Sequence, residues 1–309
     1  MPGAPSPSVA VLLRCERQEF QRAQAAAAVE AGAREGMGVE VAFADNSPIT
    51  QIQQVLSCAN RAAELRPRAI VIELVGAPEG YRTAARAALS AGLAWVEVSG
   101  LAPSVPLLRA EFPRAFVMSV TSNEEEIGRL HAAQCRALLP AGGDLLYVEG
   151  PSLQPEVKAR RRGLEEGLRG SQIAIARTLA GAWTGASAEK AMTALLERPS
   201  GQRLAPALVC AQNDEMAVAA RRIAAARHPE WARLPYLGCD GLPDGGVRYV
   251  KDGLLAATVV KPVTTGIAVT QAALAIRAAA PPRDVLLAPR SEPALDVLAR
   301  AARAPAAVS

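Results

Sequence analysis

The sequence predicts an α/β protein built from two Rossmann-like lobes, each a parallel sheet flanked by helices. Short apolar runs alternate with longer amphipathic segments along the chain, which is typical of βαβ units. The chain has 309 residues, enough for two α/β domains of about 150 residues each. Half of its residues are hydrophobic, yet no uninterrupted apolar run reaches the roughly 18 residues of a membrane span.

The predicted strands are short runs rich in Val, Ile, Leu and Ala. They lie at 9–13, 39–42, 69–72, 95–98, 116–120, 145–148, 173–179, 207–210, 236–237 and 256–260, with a late strand at 284–287. Segments with helical periodicity lie between them, at 19–36, 49–65, 79–91, 123–139, 156–169, 186–197, 214–227, 243–252 and 263–280. Most of the predicted helices follow a residue that can cap them, such as Ser47 or Ser122.

Charge and motif content exclude several classes of protein. The 34 basic and 30 acidic residues leave a net charge of +4 spread along the chain, and aromatic residues make up only 4%. Neither a basic stripe nor a set of stacking side chains is present, so we expect no nucleic-acid partner and no membrane insertion. No GxGxxG, GxSxG, P-loop or HExxH motif occurs. The two histidines, His131 in a helix and His228 in a loop, are interpreted as surface residues. We therefore predict a protein that is not an enzyme and has neither cofactor nor metal.

The cysteines and the N-terminus bear on the compartment. Five cysteines form no CxxC pair, which does not predict a disulfide framework and mildly favours a reducing compartment. The stretch MPGAPSPSVAVLLR has no basic n-region and no lipobox cysteine, so it is not expected to be a secretory signal. These features favour the cytoplasm, unless the true start lies upstream of Met1.

Two predicted strands end in polar residues suited to binding a ligand. VCAQNDEMA at 209–217 passes from an apolar strand to Asn213 and then into a helix. LGCDGLPDGG at 237–246 stops at Asp240 and turns on Gly241. Ligands of open parallel sheets bind beyond the carboxyl ends of strands, which favours ligand contact at both residues. Each residue could equally cap a helix or shape a turn, and residue type alone leaves both interpretations open.

The segments AQNDEMA at 211–217, GCDGLPDGG at 238–246 and DGLLAATVVKP at 252–262 resemble, in order and spacing, the type I periplasmic solute-binding proteins. The similarity is to the ribose-binding-protein-like sugar-binding group, which shares its fold with lac-repressor-type ligand domains. The resemblance implies two lobes joined by three crossovers. One comprises 1–120 plus 262–287 and the other 121–261 plus 288–309. It also implies a ligand cleft between the lobes that closes by hinge motion.

The resemblance further implies a set of ligand contacts. These are Gln18, Phe20, Gln21 and Glu73 in the first lobe, and Arg160, Trp183, Asn213 and Asp240 in the second. Several have structural alternatives. Phe20 could be a hydrophobic staple, Glu73 could pair with an arginine, Arg160 could lie on a solvated helix face, and Trp183 could be a core residue.

The resemblance implies three further ligand contacts, Ser99, Cys239 and Lys261, at places where the sequence departs from the family pattern. An Asp-Arg pair that grips sugar hydroxyls is replaced by Ser99-Gly100, a final glutamine by Lys261, and an aromatic by Cys239. Loss of the Asp-Arg pair argues against a ribose-like ligand. Because Lys261 and Glu73 would make the cleft more charged, we expect a modified sugar, a polyol or a small polar metabolite with an anionic group.

The resemblance implies the solute receptor of an ABC-type importer in the cell envelope, delivering a sugar-like ligand to a permease. The alternative is an intracellular ligand sensor, or an effector-binding domain of a signalling system with a chemoreceptor or kinase as partner. The sequences of the three segments favour the first function. The lack of a secretory signal pattern in the N-terminal stretch favours the second.

Overall fold

The computed structural model describes residues 7–278 and 281–303. Residues 1–6 of the N-terminal stretch, and residues 279–280 at the end of the helix predicted at 263–280, lie outside the described residues. Two compact units make up the chain. Unit 1 is Met1–Ser122 with Val263–Leu287, and unit 2 is Asn123–Pro262 with Ala288–Ser309.

Each unit contains one six-stranded sheet within the described residues. The strands are β1 (Ser8–Leu13), β2 (Gly38–Phe43), β3 (Ala69–Ile72), β4 (Ala94–Ser99), β5 (Val117–Ser122), β6 (Gly143–Glu149), β7 (Ile173–Ala180), β8 (Leu208–Ala211), β9 (Tyr236–Asp240), β10 (Ala257–Val260), β11 (Val285–Leu287) and β12 (Arg290–Glu292). The strand order is β11-β5-β4-β3-β1-β2 in unit 1 and β12-β10-β9-β8-β6-β7 in unit 2. Neighbouring strands pair in parallel except for β12, which is antiparallel to β10 at the sheet edge. The predicted α/β class with parallel sheets is confirmed.

Helices connect the strands and cover both faces of each sheet. They are α1 (Glu19–Arg34), α2 (Pro48–Asn60), α3 (Arg82–Ser90), α4 (Ser104–Glu111), α5 (Glu124–Leu138), α6 (Pro155–Leu168), α7 (Gly185–Leu196), α8 (Pro199–Gln202), α9 (Asp214–Arg227), α10 (Gly246–Lys251), α11 (Thr265–Ala278) and α12 (Leu295–Arg303), with 3-10 turns at Pro78–Tyr81 and Pro229–Arg233. None of the described helices is long and apolar enough to cross a bilayer.

Side chains alternate across the unit 1 sheet and so define two cores. Val9 and Val11 of β1 pack with α1 and α11, whereas Ala10 and Leu12 pack with α2, α3 and α4. Because both faces are buried, the central strands β1 and β3 consist almost entirely of apolar residues, as in other parallel sheets. The same arrangement in unit 2 leaves the carboxyl edges of the strands as the places where polar residues collect. All five cysteines are free and buried.

The sequence-based prediction missed three α-helices, α4, α8 and α12, and the strand β12. Helix α4 contains Pro106, which obscured its helical pattern. The proline is tolerated because it lies in the first turn, where its missing N–H has no intrahelical partner to lose. Strand β12 has the sequence Arg-Ser-Glu and no apolar alternation, so only its pairing with β10 identifies it as a strand.

Candidate functional site

A buried polar group lies at the carboxyl edge of the unit 1 sheet, and we call it the Arg14 cluster: Arg14, Gln21 and Glu73. Arg14 follows β1 and Glu73 follows β3, two neighbouring parallel strands. Gln21 Nε2 donates to Glu73 Oε2 at 3.0 Å, and its Oε1 accepts from the Arg14 backbone N–H at 2.9 Å. Arg14 Nε lies 3.4 Å from Glu73 Oε1. In unit 1, Glu73 therefore pairs with an arginine, as the structural alternative proposed. It also accepts a hydrogen bond from Gln21.

The other predicted contacts of unit 1, Gln18, Phe20 and Ser99, differ in burial and in the hydrogen bonds of their side chains. Gln18 precedes α1, is 7% exposed, and its Nε2 has no hydrogen-bond partner among the described residues. Phe20, in the first turn of α1, is also buried. Ser99 ends β4 fully buried, and its hydroxyl accepts from Gln24 Nε2 at 3.3 Å. The Ser99 hydroxyl is thus engaged inside unit 1, whereas the Gln18 amide has donor capacity left for a ligand.

Unit 2 has a second buried polar group, the Glu124 cluster, made of Glu124, Arg160 and Lys261. Arg160 Nε donates to Glu124 Oε2 at 2.7 Å, and Lys261 Nζ lies 3.1 Å from Glu124 Oε1. One carboxylate therefore contacts two cations, each through its own oxygen. The three side chains are at most 6% exposed, so water screens these charges little.

Close packing of α5 on α6 brings Glu124 and Arg160 together. A Cβ on Gly128 would collide with the carbonyl oxygen of Arg160, and one on Gly163 would collide with the carbonyl oxygen of Glu125. The two glycines therefore let the helix backbones approach at the level of the ion pair. Arg160 also donates through Nη1 to the carbonyl oxygen of Gln212, which follows β8.

Only one residue of the arginine run is buried. Arg160 is 2% exposed, whereas the side chains of Arg161 and Arg162 are 35% and 58% exposed and pair with surface glutamates. The solvated-face alternative is therefore wrong for Arg160 and right for its two neighbours. Burial alone would lower the pKa of Arg160, but the carboxylates of Glu124 and Asp240 outweigh it and raise the pKa above its usual value.

Trp183 lies in the connection between β7 and α7 and contacts the Glu124 cluster through Arg160. The Arg160 Cζ is 5.3 Å from the centroid of the indole ring, a cation–π distance. The indole N–H donates to Gln154 Oε1, and the Trp183 carbonyl accepts from Asn213 Nδ2 at 2.9 Å. Trp183 as a whole is partly exposed.

Asn213 and Asp240 are placed differently at their strand ends. Asn213 caps α9, with its Oδ1 accepting from Met216 N at 2.9 Å, so its oxygen and amide both have partners within unit 2. Asp240 ends β9 and is partly exposed. The neighbouring Asp214 is structural, because Gly241 N and the Thr258 hydroxyl donate to its two oxygens.

Positive backbone φ angles mark several of these positions. Among the described non-glycine residues, positive φ occurs at Asp45, Asn46, Ser99, Trp183 and Asp240. Asp and Asn tolerate the left-handed region in a turn such as the one after β2. Trp183 at 65°, Ser99 at 76° and Asp240 at 106° are less usual, and such conformations concentrate at functional sites.

The predictions for two residues of unit 2, Cys239 and His131, require correction. Cys239 is fully buried with Ile127 and Val259 in an apolar cluster, and burial raises the pKa of its thiol. That environment is that of a core residue, so we do not retain Cys239 as a ligand contact. His131 is not a surface residue. It is fully buried, its Nε2 lies 2.8 Å from the Gly238 carbonyl, and burial lowers its pKa to about 4.

The prediction that Lys261 and Glu73 make the ligand site more charged also requires correction. Each has a partner of opposite charge in its own unit, Glu124 for Lys261 and Arg14 for Glu73. Their presence therefore does not by itself indicate an anionic ligand. Among the described residues, no group of three or more His, Cys, Asp or Glu side chains is arranged to hold a metal ion.

Sequence reasoning missed two members of these clusters. Glu124 opens a run of three glutamates, which reads as ordinary acidic residues in the first turn of a helix. Arg14 offered a usable signal, because it is the first charged residue after an apolar strand and so lies at the carboxyl edge of the sheet. The resemblance directed attention to 18–21 instead.

The chain belongs to a family of binding proteins, the periplasmic binding protein domain family, whose model matches residues 9–280. This confirms the resemblance and the prediction that the protein is not an enzyme. No curated protein matches the sequence.

Solved structures with this fold include a myo-inositol-binding protein from Caulobacter with myo-inositol bound. It has a TM-score of 0.80 and 21% identity, and the match covers 94% of each chain. A solute-binding protein of an ABC transporter from Bacillus halodurans, also with bound myo-inositol, has a TM-score of 0.80 and 16% identity over 98% of this chain and 99% of that one. The fructose-binding periplasmic domain of a hybrid two-component system has a TM-score of 0.76 and 19% identity over 95% and 94%.

Proposed function

We propose that the protein is the solute-binding component of an ABC-type importer in the cell envelope and that its ligand is a neutral polyol or sugar. The observation that carries this proposal is the pair of buried polar clusters at the carboxyl edges of the two sheets, with the carboxylate of Asp240 completing the charge balance of unit 2. Unit 2 offers two cations, Arg160 and Lys261, against the buried carboxylate of Glu124 and the partly exposed carboxylate of Asp240, whose charge acts on Arg160. Unit 1 offers one of each, Arg14 and Glu73.

Charge balance favours a neutral ligand over an ionic one. A charged ligand bound beside a balanced cluster would add an uncompensated charge in a poorly hydrated place, which is costly. A polyol presents many hydroxyls, each a donor and an acceptor, and so suits a mixture of carboxylates, guanidinium groups and amides. Charge-assisted bonds to Asp240 and donation from Gln18 Nε2 would supply much of the specificity.

Trp183 supports a ligand with an apolar face. Trp183 is partly exposed and its ring lies against Arg160, so the cation and the indole hold each other in place. Sugars and cyclitols combine polar edges with C–H faces that pack on aromatic rings. The family resemblance further implies that ligand contacts from both units act together and that the units close on the ligand, which is part of this proposal.

A thermal-shift and calorimetric screen of the full chain tests the proposal. Myo-inositol, fructose and arabinose are compared with glucuronate as an anionic analogue. A neutral ligand at about 100 times its Kd should add about 2.7 kcal/mol to the free energy of unfolding. Stabilisation by glucuronate alone, or by none of these compounds, would contradict the proposal.

Asp240→Ala is the key variant for the same screen. Because a carboxylate bond to a hydroxyl is charge-assisted, its loss should raise the Kd about tenfold or more. Asp244→Ala removes an exposed carboxylate four residues further along the same loop and serves as the control. Small-angle scattering with and without the stabilising compound checks closure, and an unchanged profile at saturation would exclude it.

A second function, the sensor domain of a signalling system, is favoured by the likeness to the two-component fructose-binding domain. The two functions share a ligand and differ in partner. Stimulation of a reconstituted permease–ATPase by the liganded protein supports the importer. Stimulation of a kinase or chemoreceptor instead of the permease supports the sensor.

A further inference from the structure

Unit 1 contains a pocket of about 330 Å³ on one face of its sheet. The pocket lies between the 3-10 turn Pro78–Tyr81, α3, β4 and α4. This is the sheet face that packs on α2, α3 and α4, whereas α1 and α11 cover the opposite face. The described residues that line it include none of the ligand contacts proposed above. Its volume is at the lower end of the range for small-molecule sites.

Glu97, in the middle of β4, lines the pocket with a carboxylate that is only partly satisfied. The residue is 3% exposed. Its Oε1 accepts from the Trp95 indole N–H at 3.0 Å and from the Ser104 hydroxyl. Its Oε2 has no hydrogen-bond partner among the described residues. Burial raises the pKa of Glu97, in line with a carboxylate that lacks a full set of donors.

The rest of the lining combines apolar walls with a negative balance of charge. Ala85, Leu107 and Leu108 contribute aliphatic surface, and the Tyr81 and Trp95 rings contribute aromatic surface. The charged residues of the lining are Arg82 and three glutamates, Glu79, Glu97 and Glu111. Arg82 lies 3.8 Å from Glu111, which also bonds Arg86. Among the described lining residues, the single cation is therefore directed to Glu111 and does not balance the charge of Glu97.

We propose that this pocket is a second binding site that takes a small organic ammonium ion. The ammonium group donates to Glu97 Oε2, and the carbon body packs against Leu107, Leu108 and the aromatic rings. An ammonium offers only donors and carries the charge that a buried carboxylate lacks, so the bond is charge-assisted. A neutral alcohol supplies a donor without the charge. The site belongs to unit 1 alone and does not depend on the polyol proposal.

Titration calorimetry on the full chain tests this site with benzylammonium chloride and its neutral counterpart, benzyl alcohol. Benzylammonium is expected to bind, and benzyl alcohol to bind about tenfold more weakly or not at all, because a charged hydrogen bond is worth more than a neutral one. Glu97→Gln should weaken benzylammonium binding by about tenfold or more, while the oxygen of the new amide can still accept from Trp95 and Ser104.

Two further variants keep the test decisive. Glu64→Gln removes an exposed carboxylate outside the pocket and should leave the affinity unchanged. Leu107→Lys places a cation at a lining position that is 68% exposed, so it should fold even if Glu97→Gln does not, and should weaken binding by repulsion. The proposal is overturned if benzylammonium does not bind, if the alcohol binds equally well, or if Leu107→Lys and a folded Glu97→Gln leave the affinity unchanged.

Discussion

The Glu124 cluster and the Arg14 cluster stabilise their buried charges in different ways. In the Glu124 cluster, a single carboxylate contacts Arg160 and Lys261 at 2.7 and 3.1 Å. In the Arg14 cluster, the ion pair is longer, 3.4 Å, and a neutral amide, Gln21, bonds the same carboxylate. Unit 2 therefore concentrates its electrostatic stabilisation in one residue, whereas unit 1 distributes it over an ion pair and amide hydrogen bonds. Removing one carboxylate should cost much more in unit 2 than in unit 1.

Glu124→Ala should have the largest effect. It removes the carboxylate shared by two buried cations, and breaking a buried ion pair from one side typically costs about 3–5 kcal/mol. Guanidinium unfolding measures the change. The control is Glu125→Ala, the next residue on α5, whose exposed pair with Arg162 should contribute at most about 1 kcal/mol. Equal losses in the two variants would refute the idea that Glu124 organises unit 2.

His131 links the Glu124 cluster to pH, because it is buried in α5 and the charge on Arg160 adds to the lowering of its pKa by burial. Its folded pKa of about 4 lies below the unfolded value of about 6.5, so the folded state resists protonation. The contribution of the neutral His131 to the free energy of unfolding is complete above a pH of about 6.5. It is lost as the pH falls towards 4, and the loss is on the order of 3 kcal/mol. Denaturant unfolding of the wild type and of His131→Gln is compared across this pH range. The wild type should lose more stability than the variant by about this amount, and equal losses would show that other groups dominate.

Glu73→Gln should have the smallest effect of the three. The amide can still bond Gln21 but no longer carries the charge opposite Arg14, so a loss of about 1–2 kcal/mol is expected. Denaturant unfolding again provides the measurement, with Glu64→Gln, an exposed glutamate of unit 1, as the reference. A cost as large as that of Glu124→Ala would remove the distinction between the two clusters.

Apolar periodicity predicted the fold well because both faces of each sheet are buried. Runs such as Val9–Leu13 in β1 and Ile70–Ile72 in β3 are apolar at every position, and they stop abruptly where the strand ends. The same abrupt ends indicated where polar contacts collect, as at Glu73 and Asp240. Elements without this contrast, the helices α4, α8 and α12 and the strand β12, were missed.

The candidate site could be predicted only in part, because identical residue types in a run have different environments. Arg160, Arg161 and Arg162 differ by the register of α6 against α5, which depends on the close approach at Gly128 and Gly163. Glu124 likewise differs from the two glutamates after it only by the direction in which the first turn of α5 presents it. Such distinctions require tertiary packing and have no signal in the local pattern.

The inaccessible thiols noted in the fold have a practical consequence. A maleimide dye needs an exposed thiolate, and all five native cysteines are buried. A single cysteine introduced at the exposed Asp244 would therefore be the preferred point of attachment. Fluorophore emission from that loop, four residues beyond Asp240, would then convert ligand uptake into an optical signal without any native cysteine having to be removed first.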